Sequence, residues 1–376
     1  MKAIGLMSGT SMDGVDVALI ETDGERVQWI GPDGLYPYDV EEREILRNAV
    51  RDAAQIKDRN ERPVFLSGAE TVVTEIHAQA VENFIADHGI RRHDIDIIGF
   101  HGQTVLHRPE DRLTVQLGDG SALADLLGIN VVYDFRSTDI EAGGQGAPLV
   151  PIYHRALADR AGLPRPAVIV NLGGVANVTY IGEDGTLLAF DTGPGNAMID
   201  DWVRKHTGAA RDENGRLAAK GRTDARRLEA LLGDSYFLRK PPKSLDRNAF
   251  PLDVVDGLSL EDGAATLTAF TVASLICGLA HFPGAPKIFV LCGGGVHNAT
   301  LISNIRKLVP GRIETADALG WSTDGIEAQA FGYLSVRSIR GLPLTFPGTT
   351  GAPRAMSGGL LAVANTLSRQ GEARQR

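Results

Sequence analysis

Two stretches of this chain repeat one pattern, and that pattern limits the fold more than any other feature. Ile4–Ile20 and Val168–Ile181 each run as apolar strand, small-residue turn, apolar strand, and each opens one half of the 376-residue sequence. The first turn lies within Gly5–Asp16 (GLMSGTSMDGVD), with Ala3 and Ile4 leading in and an alternating Val15, Val17, Leu19 leading out. A two-residue turn would close such a hairpin, with glycine supplying positive φ. The surplus of Gly, Ser, Thr and Asp instead leaves backbone N–H groups and short hydroxyls bare. That suits a polyphosphate, without the GxxxxGK[ST] pattern of a Walker loop. Hairpins alone make no parallel sheet, so each half is expected to be a mixed sheet covered by helices. Two such domains facing each other would form a cleft, a usual place for a ligand.

The length suggests two domains, each able to bury its own core. The expected division is 1–140 for an N-terminal domain with the first loop, 141–345 for a C-terminal domain, and 346–376 for an extension ending in a polar, frayed stretch. Strands are expected near 2–8, 14–21, 26–30, 95–100, 113–117 and 130–133, then at 167–171, 175–181, 187–190 and 287–292. Helical patterns lie near 40–56, 65–88 and 121–127, through much of 196–282 outside a proline-rich loop at 240–251, and at 298–308 and 326–340.

Composition excludes several classes. A formal charge of −9 argues against general nucleic-acid binding, yet backbone N–H groups can still hold phosphate in an acidic protein. The 44 glycines follow no collagen-like or low-complexity period and gather in short loops, as at Gly143–Gly146, Gly173–Gly174 and Gly293–Gly295. Cys277 and Cys292 form no CxxC pair and are expected to be reduced core residues. Gly5, Ser8 and Gly9 interrupt any leader after Lys2, and no apolar run is expected to reach the length of a membrane span. A soluble, cytoplasmic protein with no membrane partner is the consistent expectation. His77, His88, His154 and His281 show no metal-ligand spacing and are expected on the surface or on helices.

Two phosphate-type hairpins and a late strand ending in Cys292-Gly293-Gly294-Gly295 form a specific set. The chain resembles the acetate and sugar kinase/Hsp70/actin superfamily. Longer blocks narrow the match: Phe100–His107 (FHGQTVLH), Asp134–Arg136 with Asp139-Ile140, and Ala142–Pro151 (AGGQGAPLVP). Asp191–Asn196 (DTGPGN), Asp324–Ala330 (DGIEAQA) and Thr350-Gly351-Ala352 extend it from Ile4 to about Ala352. Together they resemble the anhydro-N-acetylmuramic acid kinases. One departure is Leu245-Asp246 within KSLDRNAF, where that family is expected to carry Thr-Gly.

The resemblance implies an α/β fold, a duplicated two-domain actin-like ATPase (sugar kinase) architecture with mixed sheets flanked by helices and an interdomain cleft. It implies ATP with Mg²⁺, and an anhydro-amino-sugar, 1,6-anhydro-N-acetylmuramic acid, as substrate. ATP would be held by Gly9, Thr10, Ser11, Met12, Asp13, Gly14, Val15 and Asp16 in the first loop, and by Gly173, Gly174 and Asn177 in the second. Gly293, Gly294, Gly295 and Asn298 would form the adenosine loop. No direct metal ligand is assigned, although Asp13 or Asp16 could touch Mg²⁺ through water. The reaction, hydrolytic ring opening coupled to phosphorylation of O6, needs a base that activates water, and Asp191 is the candidate. Its alternative is an Asx-turn residue or the N-cap of the next helix. His101, Gln103, Thr104, Arg136 and Glu327 are candidate substrate-binding groups, Arg136 for the lactyl carboxylate. A salt bridge from Arg136 to Asp134 or Asp139, a structural role for His101 and a solvated helix-face Glu327 are the alternatives. A kinase for levoglucosan and an actin- or Hsp70-like ATPase are the competing functions, and the oligomeric state is left open to a homodimer.

Overall fold

A computed structural model describes residues 1–9 and 11–365 of the chain. From the N-terminus, β1 (Lys2–Ser8), β2 (Gly14–Thr22) and β3 (Val27–Pro37) lead into α1 (Val40–Ala53) and α2 (Val64–Asp87). Next come β4 (Ile97–Arg108), β5 (Leu113–Leu117), α3 (Gly120–Leu127), β6 (Val131–Tyr133), α4 (Ser137–Glu141) and α5 (Pro151–Arg160). The sheet pattern then restarts with β7 (Ala167–Leu172), β8 (Val175–Ile181) and β9 (Leu187–Pro194), followed by α6 (Ala197–Thr207), α7 (Ala225–Leu232) and α8 (Leu260–Leu279). After β10 (Ile288–Cys292), α9 (Ala299–Leu308) and β11 (Arg312–Thr315), the chain closes with α10 (Ile326–Ile339), α11 (Pro347–Thr350) and β12 (Leu360–Ala362).

The chain divides into two compact units, one of Met1–Arg160 with the segment from Gly325, the other of Ala161–Asp324. This differs from contiguous domains meeting at 140 and 345. The reason is α10, which returns to the first sheet.

In the first unit the strand order is β12-β6-β4-β1-β2-β3, with β5 paired to β4. The β1–β2 hairpin is antiparallel, with Ile4 opposite Leu19, while β1–β4 and β4–β6 are parallel. Alternation along β1 separates two faces. Ile4 and Leu6 join a core with Leu46 of α1, Leu66, Val73 and Phe84 of α2, and Phe100. Gly5 faces the other way, and a Cβ there would overlap the Ala328 carbonyl of α10; one on Gly99 of β4 would overlap the Phe331 carbonyl. Two glycines on neighbouring strands therefore let α10 lie directly on the sheet, which fixes where its first turn sits.

The second unit is ordered β11-β10-β7-β8-β9. Its hairpin β7–β8 is antiparallel and β10 runs parallel to β7, so the hairpin-led mixed sheet is duplicated as expected. Val168, Val170 and Leu172 pack with Phe289 and Leu291 against Leu301, Ile302 and Ile305 of α9. A second cluster joins Met198, Ile199 and Trp202 of α6 to Phe237, Phe250 and Phe270.

One expectation is corrected here. Leu260–Leu279 is long and apolar enough to cross a membrane, with a mean hydropathy of 1.4, although 67% of that window is buried. It is a core helix, apolar all round because it packs on several sides. His77 and His154 lie on helices as expected but are buried, not on the surface. Burial pushes both imidazoles down, His77 to about 4 and His154 to about 3, so both are neutral packing groups. Cys292 is buried and Cys277 half-buried, and both are reduced thiols.

Candidate active site

The first loop leaves β1 at Ser8 and is braced from below by three polar groups. The Ser8 hydroxyl donates to Gln103 Oε1 and accepts from the Tyr38 phenol at 2.6 Å. Gln103 Nε2 in turn donates to the Gly9 carbonyl at 3.3 Å. Gln103 is fully buried, so its amide holds the loop. Met12 takes a left-handed φ of 56° while its N–H donates to Gly9 O at 3.2 Å. Ser11 and Asp13 are exposed on the loop, and Gly14, Val15 and Asp16 begin β2. Thr10 lies outside the described residues. A Cβ on Gly14 would overlap Tyr36 O, so glycine is needed where β2 and β3 converge.

Buried His101 and part-buried Arg136 form one couple in the same unit. His101 Nδ1 donates to Gly102 O at 2.7 Å, so Nε2 is the acceptor, and it takes N–H bonds from Arg136 Nε at 3.2 Å and Nη2 at 2.8 Å. Burial and the adjacent guanidinium hold the His101 pKa well below its usual value; the ring is a neutral acceptor. Burial also draws Arg136 down to about 10, with Glu327 and Asp139 opposing. Neither proposed salt bridge to Arg136 is present. Asp134 pairs with Arg59 at 2.5 Å, and Asp139 accepts from Thr350 at 2.7 Å and from the Gly146 N–H at 2.7 Å.

Glu327 stands in the first turn of α10, where the helix dipole favours a carboxylate. Burial pushes its pKa up and Arg136 pulls it back. It is a part-buried carboxylate answering a part-buried cation, not a solvated surface group. Thr104, on β4 opposite Gln116, accepts from that amide at 3.2 Å.

In the second unit the glycine turn and the candidate base are strapped together. The N–H groups of Gly195 and Asn196 donate to Gly174 O at 2.9 Å and Gly173 O at 2.8 Å. A Cβ on Gly195 would overlap Gly173 O, so the approach requires glycine. β9 runs on to Pro194, which places Asp191 inside the strand opposite Asn177, beside a bulge. The expected strand end at Phe190 is therefore too early, because β8 continues to pair with the DTGP segment. The helix-cap alternative for Asp191 does not occur; Asn196 is at the start of α6.

Three groups from one loop hold Asp191. Its N–H donates to Lys243 O at 3.0 Å, its carbonyl accepts from the Tyr236 phenol at 2.5 Å, and its Oδ2 accepts from Leu245 N–H at 2.8 Å. Burial raises the carboxyl to about 6, with the Leu245 bond opposing. Leu245 is the residue at which the chain departs from the expected family pattern, and it reaches the carboxylate through its backbone, so the side-chain change leaves this bond intact. Asp200 on α6 is also pushed up to about 6 by burial, with Arg204 opposing, but it lies one turn beyond the glycine strap.

The third loop follows β10. Gly293 has φ 77°, Gly294 and Gly295 begin a tight turn, and Asn298 caps α9 by accepting from Leu301 N–H at 3.0 Å. Asn196, which no sequence argument singled out beyond its motif, donates to Leu172 O at 3.0 Å and ties α6 to the second loop. Lys243 and Tyr236 were likewise missed as site residues. Lys243 is buried, with Nζ 4.5 Å from the Tyr236 ring centroid, and its place at the head of the KSLDRNAF block is the signal that could have found it.

The class comes first: a phosphotransferase, given by the relatives of this two-sheet, hairpin-led α/β chain. A sequence model of the anhydro-N-acetylmuramic acid kinase family matches residues 1–364, and the chain belongs to that family. The anhydro-N-acetylmuramic acid kinase of Nitrobacter winogradskyi is 53% identical over 362 residues, 96% of this chain and 99% of that protein. The one from Methylorubrum populi is 51% identical over 371 residues, 96% of this chain and 98% of that protein. Among solved structures, the Acidaminococcus fermentans (R)-2-hydroxyglutaryl-CoA dehydratase component A is 13% identical, covering 89% of this chain and 99% of its own, at a TM-score of 0.45.

Proposed function

We propose that the chain is a cytoplasmic ATP-dependent kinase that hydrolytically opens 1,6-anhydro-N-acetylmuramic acid and phosphorylates O6, giving N-acetylmuramic acid 6-phosphate and ADP. The observation that carries this reading is Asp191, a loop-clamped carboxylate with its pKa raised to about 6 by burial. An ordinary sugar kinase removes a proton from the attacking hydroxyl, but O6 of the anhydro-sugar has none. Asp191 instead takes a proton from water; the water oxygen bonds to C1, the C1–O6 bond breaks, and O6 attacks the γ-phosphorus as ADP leaves. A base of this kind is typically worth about 10²–10⁴ in rate. Alignment of water, C1, O6 and phosphorus contributes several kcal/mol more, by roughly the effective-molarity argument.

Glu327 is assigned to the water or a sugar hydroxyl, and Arg136 to the lactyl carboxylate, which two of its N–H groups remain to meet. His101, as a neutral acceptor, orients Arg136. Gln103 acts through the first loop, and Thr104 lies beside it on β4. The loops at Gly9–Asp16, Gly173–Gly174 and Gly293–Asn298 are assigned to ATP. Among the described residues there is no cluster of three or more metal-ligating side chains. Mg²⁺ carried by the phosphates needs one or two carboxylates and otherwise keeps its water; Asp13, exposed on the first loop, is assigned to it, and the ion would supply charge neutralisation on the phosphates.

Reaction in ¹⁸O-labelled water tests the coupling. Label is expected on C1 of the sugar phosphate and none in its phosphate group. Label in released inorganic phosphate without sugar phosphate would mean a simple ATPase. A second expected outcome is a pH profile. Because Asp191 must be ionised to accept a proton, kcat/KM should fall about tenfold per pH unit below roughly 6 and level off above it. A profile flat down to pH 4.5 would remove Asp191 as the base.

A further inference from the structure

The first unit contains a cavity of about 600 Å³ whose lining includes Glu25, Arg26, Arg155, Asp159, Arg160 and Arg337. It lies at the far end of α10 from Glu327, about 15 Å away by helix rise. It also adjoins the β2–β3 turn rather than the first loop, which leaves β1 at the opposite strand end. In a chain of net charge −9, four guanidiniums against two carboxylates is a local reversal of sign.

Arg337 is the built part of this site. It is 4% exposed, yet its Nε donates to Pro343 O at 2.7 Å and its Nη1 to Gly24 O at 2.6 Å, both neutral carbonyls. Its Nη2 donates to none of the described groups. Nη1 also reaches the Tyr333 hydroxyl at 3.3 Å, and Glu25 is the carboxylate that acts on its charge; a buried cation bonded only to neutral oxygens, on the wall of a cavity with a surplus of guanidiniums, favours an anion there. Arg155 is part-buried and its Cζ sits 5.9 Å from the Phe346 ring centroid, which restricts its guanidinium beside the same cavity. Planar forks fixed in this way match the oxygens of a phosphate group two at a time.

We propose that this arginine-lined cavity binds a small phosphate-bearing anion, at a site separate from the three glycine loops. The site needs at least two guanidiniums to act together, so a pyrophosphate group suits it better than a monovalent anion.

Calorimetric titration of the full chain tests this at constant ionic strength, with a non-hydrolysable ATP analogue present in excess. Inorganic phosphate, pyrophosphate and glucose 6-phosphate serve as the probes. Saturable binding of one pyrophosphate per chain is expected, weakened about tenfold in Arg155→Ala and in Arg160→Ala, as loss of one charged hydrogen-bonding partner implies. Arg160 is exposed, so its variant tests the site even if Arg155→Ala fails to fold. Tighter binding of glucose 6-phosphate than of phosphate would mark an organic ligand, and equal binding an inorganic one. Absence of saturable binding, binding abolished by the ATP analogue, or unchanged affinity in both variants would overturn the proposal.

Discussion

Asp191→Asn is expected to lower kcat by roughly 10²–10⁴, the usual worth of a general base, while the affinity for ATP stays within about twofold. The substitution isolates the proton acceptor because little else at the position depends on charge. The Lys243 and Tyr236 bonds go to the Asp191 backbone, and an Asn side-chain oxygen can still accept from Leu245 N–H, which meets Asp191 Oδ2 at 2.8 Å. Folding should therefore be undisturbed. The burial that raises the Asp191 pKa also penalises its charge, so the neutral Asn is tolerated. Leu245→Ala makes the companion measurement. It keeps the N–H, so activity should stay within a few-fold of the parent. Steady-state rates of sugar phosphate formation, with nucleotide affinity measured separately, decide the matter. Near-normal turnover in Asp191→Asn would remove the assignment.

Local pattern made the two hairpins and the long helices legible, because alternating or helical apolar spacing is written over many residues. It failed where pairing or packing is set from a distance. The apolar run ending at Phe100 suggested a short strand, yet β4 continues through the FHGQTVLH block because β5 turns back to pair with it, His107 meeting Thr114. β11 was missed since Arg312–Thr315 is four polar-leaning residues on a sheet edge. α5 was missed because it is buried on most faces and so shows no apolar stripe.

The site was legible in the same uneven way. Asp191 could be named from the small-residue turn that follows it, and Arg136 from its motif. The His101–Arg136 couple spans 35 residues, and the Gln103 brace on the first loop spans 94. Both arise only when β4 is set beside β1. Sequence proximity also misplaced α10. It follows the second sheet in the chain but is seated on the first, and the cause is a pair of glycines on other strands.

Those glycines supply the second large effect. Gly5→Ala is expected to destabilise the protein by on the order of 3 kcal/mol, since the added methyl overlaps backbone and no rotamer change can relieve it. The group it meets is the Ala328 carbonyl, with the Gly332 N–H close behind; either α10 must lift from the sheet or β1 must shift. Glu327 stands one residue before Ala328, so a lifted helix also moves that carboxylate away from Arg136. Activity should fall more than the loss of folded protein accounts for. Gly68→Ala is the matched control. Gly68 lies in α2 and is exposed, with nothing within 4 Å of the added Cβ. There the methyl only removes unfolded-state freedom and should stabilise by about 0.4–1 kcal/mol. Chemical denaturation of the two variants should therefore shift in opposite directions. Equal, small shifts would mean that the α10 seat is soft, and that the glycines on β1 and β4 are not what positions the first turn of the helix.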